Sequence, residues 1–261
     1  MALADTLDPR AAVADSSDGR PRAAPEGWGV TPRRQWFKAL AALRRLLSDK
    51  EDTGQVFEIM RALSGDSTPR GYRRLLATNE GGRLAYERLE LAPRLMDDAW
   101  LDSFAAGTVG AAYRDFVRRE NLSAEGLAEV SRQNAVQAEQ PHPYAWYGRR
   151  IRDAHDLWHV LTGYGRDGLG EACLVAFSYA QTRSLGWALI ALGAALRARR
   201  EGLKSAAKII WEGYRRGQAA AWLPGEDYER LMAEPLEAAR RRLRLSPPPL
   251  YLAVPAELRA V

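Results

Sequence analysis

Apolar residues along this chain recur three and four positions apart, and no stretch alternates every second residue between turn signals. That periodicity restricts the chain to helices. Over residues 32–47, Trp36, Phe37, Leu40, Leu43 and Leu47 form one stripe, with Arg33, Arg34, Lys38, Arg44 and Arg45 around it. The stripe predicts a basic amphipathic helix that either packs on the core or lies on a membrane surface. Short helices are expected over 56–63, 72–78, 83–89, 95–104 and 111–120, then one over 122–137 with Ser123 as N-cap and Gly126 as a weak point. After Pro141-His142-Pro143 come helices over 145–161, 171–199, 203–222 and 227–244. The expectation is an all-α, multi-helix single domain over residues 30–250, with a buried apolar helix lining a lipid cavity.

The ends read differently. Residues 1–29 are rich in Ala, Asp, Ser, Pro and Gly and lack an apolar h-region, so a disordered tail is expected. Asp5, Asp8, Asp15 and Asp18 argue against a mitochondrial transit peptide, which avoids acids. Residues 251–261 read as an extended tail.

The apolar run 172–196 is the stretch to weigh as a membrane span. Gln181-Thr182-Arg183-Ser184 interrupt it, and an arginine at mid-span is costly in lipid. The uninterrupted part, 185–196, is too short to cross a bilayer. It reads as a core helix whose small residues (Gly186, Ala188, Ala191, Gly193, Ala194, Ala195) leave room for a long apolar ligand.

Composition narrows the function. A single cysteine, Cys173, rules out a disulfide framework and points to a reducing compartment. The net charge of +5 is carried by arginine, yet no RNP, zinc-finger or helix-turn-helix signature accompanies it. Nucleic acid is not an expected partner. An anionic membrane surface or a phosphorylated lipid suits the charge.

Two of the three histidines lie in the run His155-Asp156-Leu157-Trp158-His159. Residues four apart on a helix share nearly one face, about 40° apart. Asp156 is close enough in sequence to join them. Glu171 returns at the start of the next helix, across a turn containing Gly163, Gly165, Gly168 and Gly170. Two nitrogens and one or two carboxylate oxygens from adjoining antiparallel helices make a site for a divalent transition metal. The competing reading has the two histidines as hydrogen-bonded helix residues with Asp156 capping locally; the returning glutamate favours the metal. Asp156 in place of glutamate speaks against a metallopeptidase. Phosphohydrolases with a bare His-Asp pair need more histidines, and the remaining one, His142 between two prolines, reads as a loop residue. Arg150 and Arg152 either clamp a carboxylate or phosphate beside the metal or pair with Asp153 and Asp156. Tyr113, Tyr147, Tyr164, Tyr179 and Cys173 read as packing residues.

On these residues the chain resembles the ubiquinone-biosynthesis Coq-four family, over about residues 56–251. The central pattern is Arg150, Arg152, His155-Asp156, His159 and Gly170-Glu171. Supporting matches are Gly81-Gly82-Arg83, Gly107-Thr108-Val109-Gly110 with Tyr113, Gln181-Thr182, Gly213-Tyr214-Arg215-Arg216-Gly217 and Pro248-Pro249. Ala105 and Gly186 stand where relatives commonly carry proline, and 134–144 departs from the usual acidic run. The resemblance implies a mostly helical, peripherally membrane-bound protein that removes the C1 carboxyl of a polyprenylated 4-hydroxybenzoate, with or without C1 hydroxylation, and helps to organise a biosynthetic complex. Within it, His155, Asp156, His159 and Glu171 are the expected metal ligands and, with Arg152, the catalytic set; Arg150 and Arg152 are expected to orient the substrate. Zinc is the metal usually assigned, and iron suits an oxidative reaction. Expected partners are the polyprenylated aromatic substrate, other ubiquinone-biosynthesis proteins, a membrane surface and a second copy of the chain. The expected place is the cytoplasm of a bacterium, on the inner membrane. A non-catalytic prenyl-lipid-binding scaffold is the main rival, and a metal-dependent hydrolase of phosphorylated lipids a third.

Overall fold

The computed structural model describes residues 33–48, 52–120 and 142–259, with Thr53 described by its backbone alone. The expected tail over 1–29 and the expected helix over 122–137 lie outside the described residues. Fifteen α-helices carry the described chain: α1 (Trp36–Ser48), α2 (Thr53–Ala62), α3 (Ser67–Leu76), α4 (Asn79–Glu87), α5 (Leu91–Leu95), α6 (Asp98–Asp102), α7 (Val109–Arg119), α8 (Pro143–Asp153), α9 (His155–Thr162), α10 (Gly168–Thr182), α11 (Leu185–Arg200), α12 (Ala206–Ala219), α13 (Tyr228–Leu231), α14 (Leu236–Arg242) and α15 (Pro249–Leu252). Among the described residues there is no strand; Thr108 and Pro235 form an isolated bridge. The fold is all-α. No described helix is long and apolar enough to cross a membrane.

Helix starts follow the capping residues. Thr78 and Thr108 accept from the backbone N–H of Gly81 and Ala111, and Asp97, Asp167 and Asp227 do the same for α6, α10 and α13. Each side-chain oxygen satisfies a donor that the first turn leaves unpaired. His142 is the N-cap of α8, its Nδ1 accepting from Tyr144 N at 3.2 Å.

The core is built around α10, whose residues from Ala172 to Ser178 are all buried. Its most extensive partner is α12, and the approach is backbone to backbone. A Cβ on Gly213 would lie 2.5 Å from the Cys173 carbonyl oxygen, and one on Gly217 2.7 Å from that of Phe177. No side chain fits in either place.

Three expectations are corrected. The single helix expected over 171–199 is two, because Arg183 adopts the left-handed conformation (φ 58°) between α10 and α11. The Gln181 amide explains the break: Nε2 donates to the Gly217 and Ala221 carbonyls at 2.7 and 3.1 Å, and Oε1 accepts from Leu223 N at 2.9 Å. Those bonds pin the end of α10 to the end of α12. Secondly, the α1 stripe is divided, Leu43 packing on the core while Trp36, Phe37 and Leu40 face outward. Ala39 and Ala42 are buried, whereas Phe37 is 91% exposed and Trp36 and Leu40 about half exposed. The close fit of α1 on α2 and α11 admits the small side chains, with Leu43 filling the space over Gly193. Thirdly, the segment expected to be extended from 251 folds back. Tyr251 in α15 and Val254 are buried, Ala256–Leu258 form a 3-10 turn, and Leu169 N donates to Arg259 O at 2.9 Å. The Tyr251 hydroxyl accepts from Gly165 N and donates to the Asp167 carboxylate, clasping the turn before α10.

Candidate metal centre

Helix α9 begins at His155, so its eight residues present His155 and His159 one turn apart. The other side of α9 fixes its orientation: Leu157, Trp158 and Leu161 are buried, and Trp158 Nε1 donates to the Tyr228 hydroxyl at 2.9 Å. Gly163, at φ 80°, ends the helix in the left-handed conformation that glycine adopts without strain. Asp167 then caps α10 and places Glu171 in its first turn.

The turn returns the glutamate to the histidines. His155 Nε2 lies 3.4 Å from Glu171 Oε2, and His159 Nε2 lies 3.3 Å from Oε1. One ligand atom from each residue falls within 4.8 Å of the others. Metal–ligand bonds of about 2.0–2.2 Å put tetrahedral neighbours about 3.3–3.6 Å apart, so the two nitrogen–oxygen separations are those of ligands around one small cation. His159 Nδ1 is 3.1 Å from the Tyr164 carbonyl oxygen. A carbonyl only accepts, so Nδ1 carries the proton and the Nε2 lone pair points at the site. That Nε2 is buried with no hydrogen-bond partner. A buried, unpartnered acceptor facing a carboxylate is costly by itself and is satisfied by a cation between them. The residues present fit a divalent metal.

Packing holds both rings. His159 stacks on Phe116 (centroids 5.7 Å, planes at 22°) and His155 on Trp187 (6.1 Å, 14°). Burial opposes ionisation of Glu171, but the two imidazoles facing its oxygens outweigh it and hold the carboxyl well below the usual carboxylate range. Burial likewise works against charge on His155, and Glu171 overcomes it, raising the imidazole above its ordinary value.

The other residues singled out in the sequence lie elsewhere. Asp156 is not among the converging groups: one residue on from His155, it sits about 100° further round α9. Arg150 is 2% exposed and gives both terminal nitrogens to Glu229 at 3.0 and 2.7 Å, with Trp146 and Tyr228 rings beside it. Arg152 pairs with Asp153 at 2.7 Å. The arginine at the site is one the sequence reading passed over: Arg166 Nε, in the clasped turn, lies 3.8 Å from Glu171 Oε1. Five residues before Glu171, it belongs to the turn that had to fold back beside the site. A cavity of about 360 Å³ adjoins His159. Its walls include Phe116, Val160, Tyr164, Leu236 and Tyr251 from α7, α9, the turn after it, α14 and the C-terminal segment.

Fold and site define a helical protein with a two-histidine, one-carboxylate centre on successive helices. Residues 35–249 match the family described as coenzyme Q (ubiquinone) biosynthesis protein Coq4, and the chain belongs to that family. Curated relatives include the ubiquinone biosynthesis protein COQ4 homologs of Rattus norvegicus, 28% identical over 174 residues (66% of this chain), and of Bos taurus, 28% over 197 residues (73% of this chain). The match spans 63% of the rat relative's length and 72% of the bovine one's. A crystal structure of a Nostoc punctiforme protein shares the fold, with a TM-score of 0.60 at 22% identity over 81% of this chain and 98% of that one. The expected bacterial location, cytoplasmic and on the inner membrane, is overturned: the rat, bovine and Neurospora crassa relatives are named as mitochondrial proteins. The aspartates Asp5, Asp8, Asp15 and Asp18, read as arguing against a mitochondrial transit peptide, had pointed the other way.

Proposed function

We propose that this chain holds a divalent cation between His155, His159 and Glu171 and removes the C1 carboxyl of a polyprenylated 4-hydroxybenzoate in ubiquinone biosynthesis. The observation that carries this reading is the buried, unpartnered His159 Nε2 facing Glu171 at the separation of two ligands of one metal. Bound there, the cation supplies Lewis acidity for a ring carboxylate or phenolate and for the charge that develops as carbon dioxide leaves. Glu171, ionised across the physiological range, contributes the negative charge of the ligand set. The Tyr164 carbonyl keeps His159 in the tautomer that can ligate, and Phe116 and Trp187 hold the rings in place.

The simple reaction replaces the ring carboxylate by a proton, the ring keeping the electron pair of the broken bond, and consumes no oxidant. Coupling to C1 hydroxylation requires dioxygen and a two-electron reductant, one oxygen atom entering the ring and the other leaving as water, and two histidines with one carboxylate would suit iron for that purpose as they suit zinc for the first. The exposed Trp36, Phe37 and Leu40 of α1, ringed by basic residues, support docking on a lipid surface where a prenylated substrate resides. A scaffold that binds prenyl lipid without chemistry is the second reading, favoured by the largely apolar cavity beside His159, whose lining also includes Arg119, Arg240 and Arg259.

In cells lacking their own copy of the protein, His159→Ala or Glu171→Ala is expected to abolish ubiquinone and to accumulate the carboxylated precursor, and elemental analysis of the purified protein should give one zinc or iron per chain. Normal quinone from a stably folded His159→Ala/Glu171→Ala double variant excludes the enzymatic reading and leaves the scaffold.

A further inference from the structure

We infer that Arg166 is the anion-binding residue of this centre, its guanidinium and the bound cation together holding a carboxylate of the ligand. The inference rests on the metal reading above and adds to it the charged group that the site recognises. At 3.8 Å from Glu171 Oε1, Arg166 Nε is beyond hydrogen-bond reach, whereas both imidazoles already approach the two Glu171 oxygens at 3.3 and 3.4 Å. Arg166 is therefore beside the ligand set without being bonded to it. Its side chain is 37% exposed, and among the described residues its guanidinium makes no hydrogen bond. The two arginines of the sequence motif are engaged elsewhere, Arg150 with Glu229 and Arg152 with Asp153.

Charge balance asks for an anion. With both imidazoles neutral, Glu171 and Arg166 sum to zero, and a divalent cation brings the centre to +2. Asp156, close enough for its charge to act on His155, lowers this to +1. A guanidinium offers a planar fork that matches the two oxygens of a carboxylate. A cation with an open coordination position beside that fork lets one carboxylate meet both. The turn that carries Arg166 is held in place: Gly165 N and the Asp167 carboxylate both bond to the Tyr251 hydroxyl, and Asp167 caps α10. The guanidinium therefore projects from a fixed backbone rather than from a free loop.

The test uses the full-length protein loaded with zinc or, for its visible spectrum, with cobalt(II). The probes are 4-hydroxybenzoate, phenol and inorganic phosphate, followed by calorimetry and by the cobalt bands. Wild-type protein should bind 4-hydroxybenzoate with a change in the cobalt spectrum and should not respond to phenol. Arg166→Ala should raise the Kd for 4-hydroxybenzoate at least about tenfold, as expected for loss of a hydrogen bond to a charged group. Its zinc affinity should stay the same or tighten, because a neighbouring positive charge is removed. Arg166→Lys should recover only part of the carboxylate affinity, since an ammonium lacks the fork. Weaker zinc binding in Arg166→Ala with unchanged 4-hydroxybenzoate affinity would overturn the inference and make Arg166 a support for Glu171. A response to phosphate alone would overturn it in favour of a phosphoryl ligand. Wild-type protein that binds no zinc would instead sink the metal reading, and this inference with it.

Discussion

Removing the carboxylate of Glu229 should cost this fold about 3–5 kcal/mol. Arg150 is 2% exposed, and its partner Glu229 is 18% exposed by side chain; the pair is bidentate at 2.7 and 3.0 Å, with the Glu226 carbonyl as a further, longer acceptor. Glu229→Ala leaves the guanidinium buried without its paired carboxylate, and breaking a buried pair from one side costs about that amount. In a protein of this size, with each kcal/mol worth roughly 2–4 °C, the melting temperature should fall by roughly 6–20 °C. The double replacement Arg150→Met/Glu229→Leu removes both charges and should recover most of the loss, because neither ion then has to be desolvated. Urea unfolding at pH 7 measures all three proteins. The pH dependence has a fixed sign: burial opposes ionisation of Glu229, Arg150 outweighs it and lowers the pKa, so the pair's contribution is lost as pH falls through that lowered value. At a temperature where the single variant is folded, its zinc affinity should fall by no more than a few fold, because Arg150 and Glu229 reach the centre only through Tyr228, whose ring lies beside Arg150 and whose hydroxyl accepts from Trp158 of α9. A loss below about 1 kcal/mol in Glu229→Ala refutes the reasoning. So does an Arg150→Met/Glu229→Leu protein that is stable yet cannot bind 4-hydroxybenzoate, because Arg150 would then act on the substrate.

Two further outcomes are expected. In metal-free protein the raised His155 contributes stability that is complete below its ordinary 6.5 and disappears as pH rises through the raised value, while the lowered Glu171 contributes above its ordinary 4.5; saturating zinc should therefore raise Tm more at pH 8 than at pH 5.5, and the opposite order would contradict the assignment. Gly213→Ala, which drives a Cβ into the Cys173 carbonyl, should lose about 1–3 kcal/mol in urea unfolding and, because Cys173 is two residues from Glu171, should also weaken zinc binding; wild-type values for both would show that α10 and α12 can separate freely.

The sequence by itself determined the helical class and the heart of the site. Both are consequences of local geometry: a 3.6-residue repeat decides which residues share a face, so His155 and His159 had to point together, and a short glycine-containing turn had to bring Glu171 back to them. Only the tertiary structure decided what each face meets. Arg150 and Arg152 sit beside the motif in sequence, yet Glu229 and Asp153 take them, while Arg166, unremarkable in the sequence, reaches the centre because its turn is clasped by Tyr251. The outward side of the α1 stripe, the break at Arg183 and the folded C-terminal segment belong to the same class. Each depends on a contact between residues far apart in the chain, such as Gln181 with Leu223 or Leu43 over Gly193, and periodicity within one helix holds no information about which helix will lie against it.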